Sequence, residues 1–363
     1  MSSPLVSICV PTLNCRRFLE ERMDTILAQT LTDWEMIVCD SHSEDGTWEF
    51  FQKFANDKRV RLSQVPRAGM LAGFNECFRR VRGEFVYVAT ADDTADPLLL
   101  ESLVGLGRRF PDVKMFSCNY TMIDEQGHPI DPTAAPYQAA GVGINGEEIY
   151  GDWLGRDHRR HGPSEFVATC VGSHVWTTFT SIVFRASLLQ DTGLMSEKKT
   201  SMADIEWALR VCLFTDTVHL ARPLATFRIY PSQSTQRLDF ARIAHLQAQM
   251  IEDTLEEFAR VVPPQFTTPK GRAKLLLAKR ILAFNALELY WQRALQHPGV
   301  FFSRFAKSLG SYPDLAVRLA LHGFVWRFRP NLDRRRYVEE LLKEFGLPPL
   351  CAAVDLGSPG ATQ

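Results

Sequence analysis

Residues 6–47 read VSICVPTLNCRRFLEERMDTILAQTLTDWEMIVCDSHSEDGT. Two apolar runs, VSICV and WEMIVC, flank a segment in which Phe18, Leu19, Met23, Ile26 and Leu27 recur at helical spacing. Asn14 precedes that segment as a good helix N-cap. Strand, helix, strand is therefore the reading, with strands near 5–10 and 34–39. The alternation continues outward, with strands near 60–64, 85–89 and 113–119. Helices are expected over 48–54 and 69–80 and from Pro97, a residue suited to a helix start. Short buried strands alternating with amphipathic helices predict an α/β fold, doubly wound around a mainly parallel sheet.

Beyond Asn119 the regularity decays. Residues 121–130 read as a small hairpin turning at Gln126-Gly127, and 131–175 as a long irregular stretch rich in Gly, Pro, Arg and His. A strand at 180–184, helices at 186–191 and 204–214, and strands at 218–220 and 224–230 then resume the core. From Ala241 the chain reads as almost wholly helical, interrupted by Pro263-Pro264, Pro298, Pro313 and Pro330.

The 363 residues, 45% of them hydrophobic, exclude wholesale disorder. The net charge of -1 hides an asymmetry: from Pro264 onward fifteen Lys and Arg stand against seven Asp and Glu. An acidic body is joined to a basic C-terminal segment. The eight cysteines form no CxxC pair, and several sit inside apolar runs, which suits a reducing compartment. No charged-then-apolar leader opens the sequence and no stretch of about 18 uncharged apolar residues occurs, so a soluble cytoplasmic protein is expected.

Open α/β sheets bind ligands at the carboxyl ends of their strands. Pro11-Thr12-Leu13-Asn14, Asp40-Ser41-His42-Ser43 and Thr90-Ala91-Asp92-Asp93 follow the first, second and fourth strands and should converge. Each alone is also an ordinary turn or cap. The adjacent carboxylates of Asp92 and Asp93 suit Mg²⁺ or Mn²⁺ bridged to a diphosphate, and equally suit the start of the helix at Pro97. Downstream, Asp204 opens a helix that also carries Glu206 and Arg210. Asp204 and Glu206 do not share a face, so at most one enters a given cleft. A carboxylate at a helix start stays ionised and can act as a base; the plainer reading is a cap with Arg210 as a surface partner.

Taken in order, these residues resemble the family 2 glycosyltransferases, whose catalytic domain has the GT-A fold. The similarity runs from Val6 to about Ser234. The opening block, including Gln29-Thr30 and the Asp45-Gly46-Thr47 turn, resembles the family's N-terminal block, and RVRGEFVYVATADDTADP (80–97) resembles its metal-site block. The resemblance implies a catalytic domain over 1–239, with 1–120 binding the nucleotide sugar and 121–239 on the acceptor side, followed by a helical extension over 240–363. It implies that Pro11, Thr12 and Asn14 shape the nucleoside pocket, with Asp40 beside the base. The resemblance further implies that Arg67 falls in a segment that often touches the nucleotide, that Asp92 addresses the ribose, that Asp93 takes the metal and diphosphate, and that Asp204 is the general base of an inverting transfer. Three departures stand out: Thr90 where the metal block usually begins with an acid, Ser41 where many members have a second acid, and Tyr230 where many place a histidine.

The reading is therefore an inverting enzyme that uses a nucleotide-diphospho-sugar, UDP-linked in preference to GDP- or dTDP-linked, with Mg²⁺ or Mn²⁺. Its acceptor is expected to be a surface glycan or lipid-linked, its partners to exclude nucleic acid, and a homo-oligomer stays open. The basic amphipathic segments 273–295 and 301–328 read first as a packed helical subdomain and second as a peripheral contact with the inner face of an anionic membrane. His158-Arg159-Arg160-His161 reads as a solvated basic loop, with binding of an acidic acceptor as the alternative. The rival function is a non-catalytic nucleotide-sugar-binding or scaffold protein, made thinkable by Thr90 and Tyr230. A sugar-nucleotide pyrophosphorylase would need a Gly-rich loop directly after the first strand, and PTLNCRR is not one.

Overall fold

The computed structural model describes residues 3–131, 146–172, 176, 178–197, 203–230, 240–279 and 333–356. Among them, nine strands form one sheet: β1 (Val6–Thr12), β2 (Trp34–Asp40), β3 (Val60–Gln64), β4 (Phe85–Val88), β5 (Met115–Ile123), β6 (His158–Arg160), β7 (Ile182–Arg185), β8 (Thr217–Arg228) and β9 (Cys351–Ala353). Their order is β3-β2-β1-β4-β7-β5-β8-β6-β9. The first four run parallel, and β7 lies antiparallel between β4 and β5. β5 and β8 are parallel, whereas β6 and β9 close the far edge antiparallel.

β2 is buried at every position and β1 at all but Pro11, because helices cover both faces of the sheet. Val6, Ile8 and Val10 join Met36 and Val38 in a core under the helices Leu19–Leu27 and Leu99–Arg109. The alternate residues Cys9, Ile37 and Cys39 face a second core. That core is built on the helices Met70–Phe78, Gly162–Val171 and Ala203–Phe214 and on Phe266 and Leu341 from the C-terminal part. The period-2 alternation of a strand thus supplies both cores from one run of residues.

The chain runs β1 to β2 to β3 in one direction, then returns to place β4 on the other side of β1. This reversal leaves a crevice at the carboxyl ends of β1 and β4, and the register sets Thr12 opposite Asp40 there.

Several expectations need correcting. Asn14 does not cap the first helix: it adopts φ +50, and its side-chain oxygen accepts from the Glu44 amide at 2.9 Å. Asp45 meets the Arg16 amide at 2.9 Å instead. The helix expected at Pro97 begins at Leu99, with Asp96 accepting from the Leu98 amide at 2.8 Å. The two strands expected over 218–230 are one strand, β8, whose register with β5 shifts twice at Asn119, beside Pro223. Proline brings no amide donor to the ladder, so the pairing is broken there.

Residues 146–172, expected to be irregular, contain β6 and the helix Gly162–Val171. The basic loop is strand β6. His158 and Arg160 are fully buried, with Arg160 paired to Glu165 at 2.7 Å, and Arg159 bridges Asp112 and Asp216. A buried charge must be paired, and here its partner lies on the next helix.

C-terminal residues are helical over Phe240–Glu257, Pro264–Thr267 and Arg334–Glu344, but β9 returns to the sheet and pairs with β6. Segment 301–328, most of 273–295, and Pro298 and Pro313 lie outside the described residues, as does Pro330. No helix among the described residues is long and apolar enough to cross a membrane.

Candidate active site

A cavity of about 450 Å³ opens at the crevice. It is lined by Pro11, Thr12 and Ser41 from the ends of β1 and β2, by Gly73 and Phe74 of the helix Met70–Phe78, and by Thr90, Ala91, Asp92 and Tyr230. Asn14, Cys15, Arg17 and Phe18 also line it. Three strand ends separated by dozens of residues thus meet at one place.

Asp40 lies outside this lining. It is fully buried and accepts from Thr12 Oγ1 at 3.0 Å, from the Ser43 amide at 2.9 Å and from Ser43 Oγ at 2.6 Å. Its charge is spent on holding the two loops together, while Thr12 and Ser41 line the cavity. Ser43 Oγ in turn accepts from the Asn14 amide at 2.9 Å. Arg67 stands on the loop after β3, pairs at 3.5 Å with the exposed Glu44, and does not line the cavity.

The adjacent carboxylates have unlike surroundings. Asp92 faces the cavity and accepts from the Tyr230 hydroxyl at 2.9 Å. Burial, and after it the Asp92 charge and this bond, raise the Tyr230 pKa, so the phenol stays protonated and donates. Asp93 is buried behind it. Asp93 Oδ2 accepts from Thr90 at 2.7 Å and Thr178 at 2.5 Å, and Oδ1 from the Arg228 amide at 2.8 Å. Burial and the neighbouring Asp92 charge raise its pKa, against the pull of these bonds.

Arg228 was not singled out by sequence reasoning. Its side chain is 1% exposed and donates to the Asp92 carbonyl at 2.6 Å, to the Asp124 and Glu125 carbonyls at 3.1 Å, and pairs with Glu21 at 2.6 Å. The available signal was a charge within the apolar strand sequence LATFRIY, where an arginine must carry partners with it.

Asp204 sits half-buried in the first turn of Ala203–Phe214, and its carboxylate accepts from the Ile205 amide at 2.9 Å; it does not line the cavity. Glu206 is occupied by Arg210 at 2.7 Å, and Arg210 is buried, not a surface partner. The same helix reaches the cavity wall through rings: Trp207 lies 6.2 Å from Phe179, which lies 5.0 Å from Phe74.

The donor set for a divalent cation is small. No group of three or more His, Cys, Asp or Glu that could hold a metal occurs among the described residues. Mg²⁺ in nucleotide sites commonly takes one or two carboxylates, completing its shell with phosphate oxygens and water. Asp92 fits that role, and Asp93, with both oxygens accepting, does not.

A mainly parallel sheet with a cavity at its switch point and a carboxylate beyond the end of β4 has the layout of a GT-A-type fold. Residues 7–123 match the model of Glycosyl transferase family 2. Over 119 residues it is 31% identical to the chondroitin synthase of Pasteurella multocida, covering 32% of this chain and 12% of that protein. The chain spans less than half the length of the first curated relatives it matches. Among solved structures, S. aureus TarS 1-349 in complex with UDP-GlcNAc superposes with a TM-score of 0.52 at 16% identity, over 78% of this chain and 79% of that one. The mannosyltransferase PcManGT from Pyrobaculum calidifontis, in complex with GDP-Man and Mn2+, gives 0.51 at 18% identity over 95% and 88%. Both likenesses show the fold.

Proposed function

We propose that this chain is an inverting glycosyltransferase that moves a sugar from a nucleotide-diphospho-sugar, UDP-linked in preference, to a hydroxyl of a surface-glycan or lipid-linked acceptor. The observation that carries this reading is the Asp92–Tyr230 pair in a cavity built from the ends of β1, β2 and β4. TarS was solved with UDP-GlcNAc, and chondroitin synthase is named for the polysaccharide it makes.

Thr12 and Ser41 meet the nucleoside, with Pro11 and Asn14 shaping its pocket and Asp40 fixing both loops. Asp204 takes the proton of the acceptor hydroxyl. That oxygen bonds to the sugar C1 from the face opposite the diphosphate as the C1–O bond to phosphate breaks, and the nucleoside diphosphate leaves with the bonding pair. A divalent cation held by Asp92, in place of Asp93, would neutralise charge on the leaving diphosphate. Asp93 instead fixes the Thr90 and Thr178 loops, and Tyr230 orients the Asp92 carboxylate. Peripheral binding to an anionic membrane through the basic C-terminal residues would bring a lipid-linked acceptor to the site.

A thermal-shift screen of UDP, GDP and dTDP with Mg²⁺ or Mn²⁺ tests the donor, since a ligand of the native state raises its stability. A rise with UDP and metal is expected, falling in Asp92→Ala to the rise that UDP gives without metal. Transfer from UDP-sugars should disappear in Asp204→Ala while UDP binding persists. Binding of nucleotide sugars with no turnover in the wild type would favour the scaffold alternative.

A further inference from the structure

Among the described residues that line the cavity, Arg17 is the one cationic side chain and Asp92 the one carboxylate. They are linked through a ring: the Arg17 guanidinium lies 4.6 Å from the Tyr230 ring centroid, and the Tyr230 hydroxyl donates to Asp92. The same guanidinium lies 4.3 Å from the Phe18 ring and forms an ion pair with Glu125. Glu125 is not free to wander, because Arg228 grips its carbonyl and that of Asp124. Two rings and a carboxylate on an anchored backbone therefore hold a half-exposed guanidinium in the cavity lining before any ligand arrives, which reduces the ordering cost of binding.

A nucleoside diphosphate brings two or more negative charges to a site whose own carboxylate repels them. With Thr90 and Tyr230 at positions that could have carried further metal ligands, Asp92 is the one carboxylate for a cation among the described residues that line the cavity. Arginine is suited to the remaining charge, because its planar fork can meet two phosphate oxygens at once.

We propose that Arg17 binds the donor's diphosphate and stabilises it as a leaving group, sharing with a divalent cation the charge neutralisation that the reduced metal site supplies weakly. This inference rests on the nucleotide-sugar reading above. It predicts that nucleoside diphosphates keep measurable affinity when divalent metal is chelated.

The test is calorimetric titration of the full chain with UDP, GDP, uridine and guanosine, in Mn²⁺ and in EDTA. Arg17→Gln should weaken the bound diphosphate about tenfold or more in EDTA and less in Mn²⁺, the loss of charge-assisted bonds, while moving the nucleoside less than about twofold. Arg17→Lys should recover part of the loss, and Glu125→Gln, which removes the competing carboxylate, should tighten diphosphate binding. Equal losses for nucleoside and diphosphate would mean that Arg17 only packs the rings and would overturn the proposal. Unchanged diphosphate affinity in Arg17→Gln, with normal binding by the wild type, would also overturn it and leave the donor reading standing. A wild type that binds neither diphosphate sinks both.

Discussion

At Arg228 a single guanidinium ties the helix Leu19–Leu27, the loop after β4 and the hairpin after β5, while its amide meets Asp93. Lysine would keep the charge but not the planar fork, so Arg228→Lys should leave two or more of these acceptors unmet. We expect a loss of about 2 kcal/mol, read as a lower denaturation midpoint, together with weaker nucleotide binding because Asp92 and Glu125 lose their anchor. The contrast between the adjacent carboxylates gives a second prediction. Asp93→Ala strands Thr90, Thr178 and a buried amide and should cost about 3 kcal/mol of stability. Asp92→Ala should leave stability within about 0.5 kcal/mol and abolish metal-dependent binding. Equal thermal midpoints for the two variants would contradict the different duties assigned here.

Between β5, β6 and β8 the packing depends on neutral histidines. His219 Nε2 donates to Asn119 Oδ1 at 3.1 Å, an orientation fixed by the Asn119 amide nitrogen donating to the Leu154 and Ala221 carbonyls. His219 Nδ1 then accepts from Ser117, whose oxygen is already met by Arg160. Burial, with the Arg160 charge, pushes His158 down to about 3 and His219 well below its usual value. The unfolded chain therefore takes up protons that the folded chain refuses. Stability is full above about pH 6.5 and falls as the pH drops below it; His158 alone contributes a loss of about 2 kcal/mol at pH 5, and His219 adds in the same direction. Thermal melts at pH 7.5 and pH 5 should show this slope, and His219→Gln should flatten it. The helix Leu99–Arg109 shows a steric limit: a Cβ at Gly107 would sit 2.5 Å from the Phe85 ring. Gly107→Ala should cost about 1–3 kcal/mol, measured by urea denaturation.

The sheet ends at β9, so its far edge is finished by residues more than 150 positions from their partner strand β6. The same segment supplies the Leu350 carbonyl to the His161 amide, the Pro348 carbonyl to Ser164, and the Asp355 and Leu356 carbonyls to Arg109. Removing everything after Phe345 would expose the β6 edge and orphan these donors. Such a chain should melt lower and aggregate. An unchanged midpoint would show that β9 is dispensable.

From the sequence alone came the βαβ order, the strands β1 to β4 within two residues, and the convergence of Pro11, Asn14 and Asp92 on one crevice. Those features follow from local periodicity and from the rule that strand ends line the switch point. The pairing of β6 with β9, and the burial of Arg160 in what reads as a basic loop, depend on partners distant in the chain. No local pattern encodes them. The same holds for the cavity: adjacent residues on one turn face opposite ways, and only the folded backbone decides that Asp92 opens toward the cavity while Asp93 and Asp40 turn inward to hold the loops.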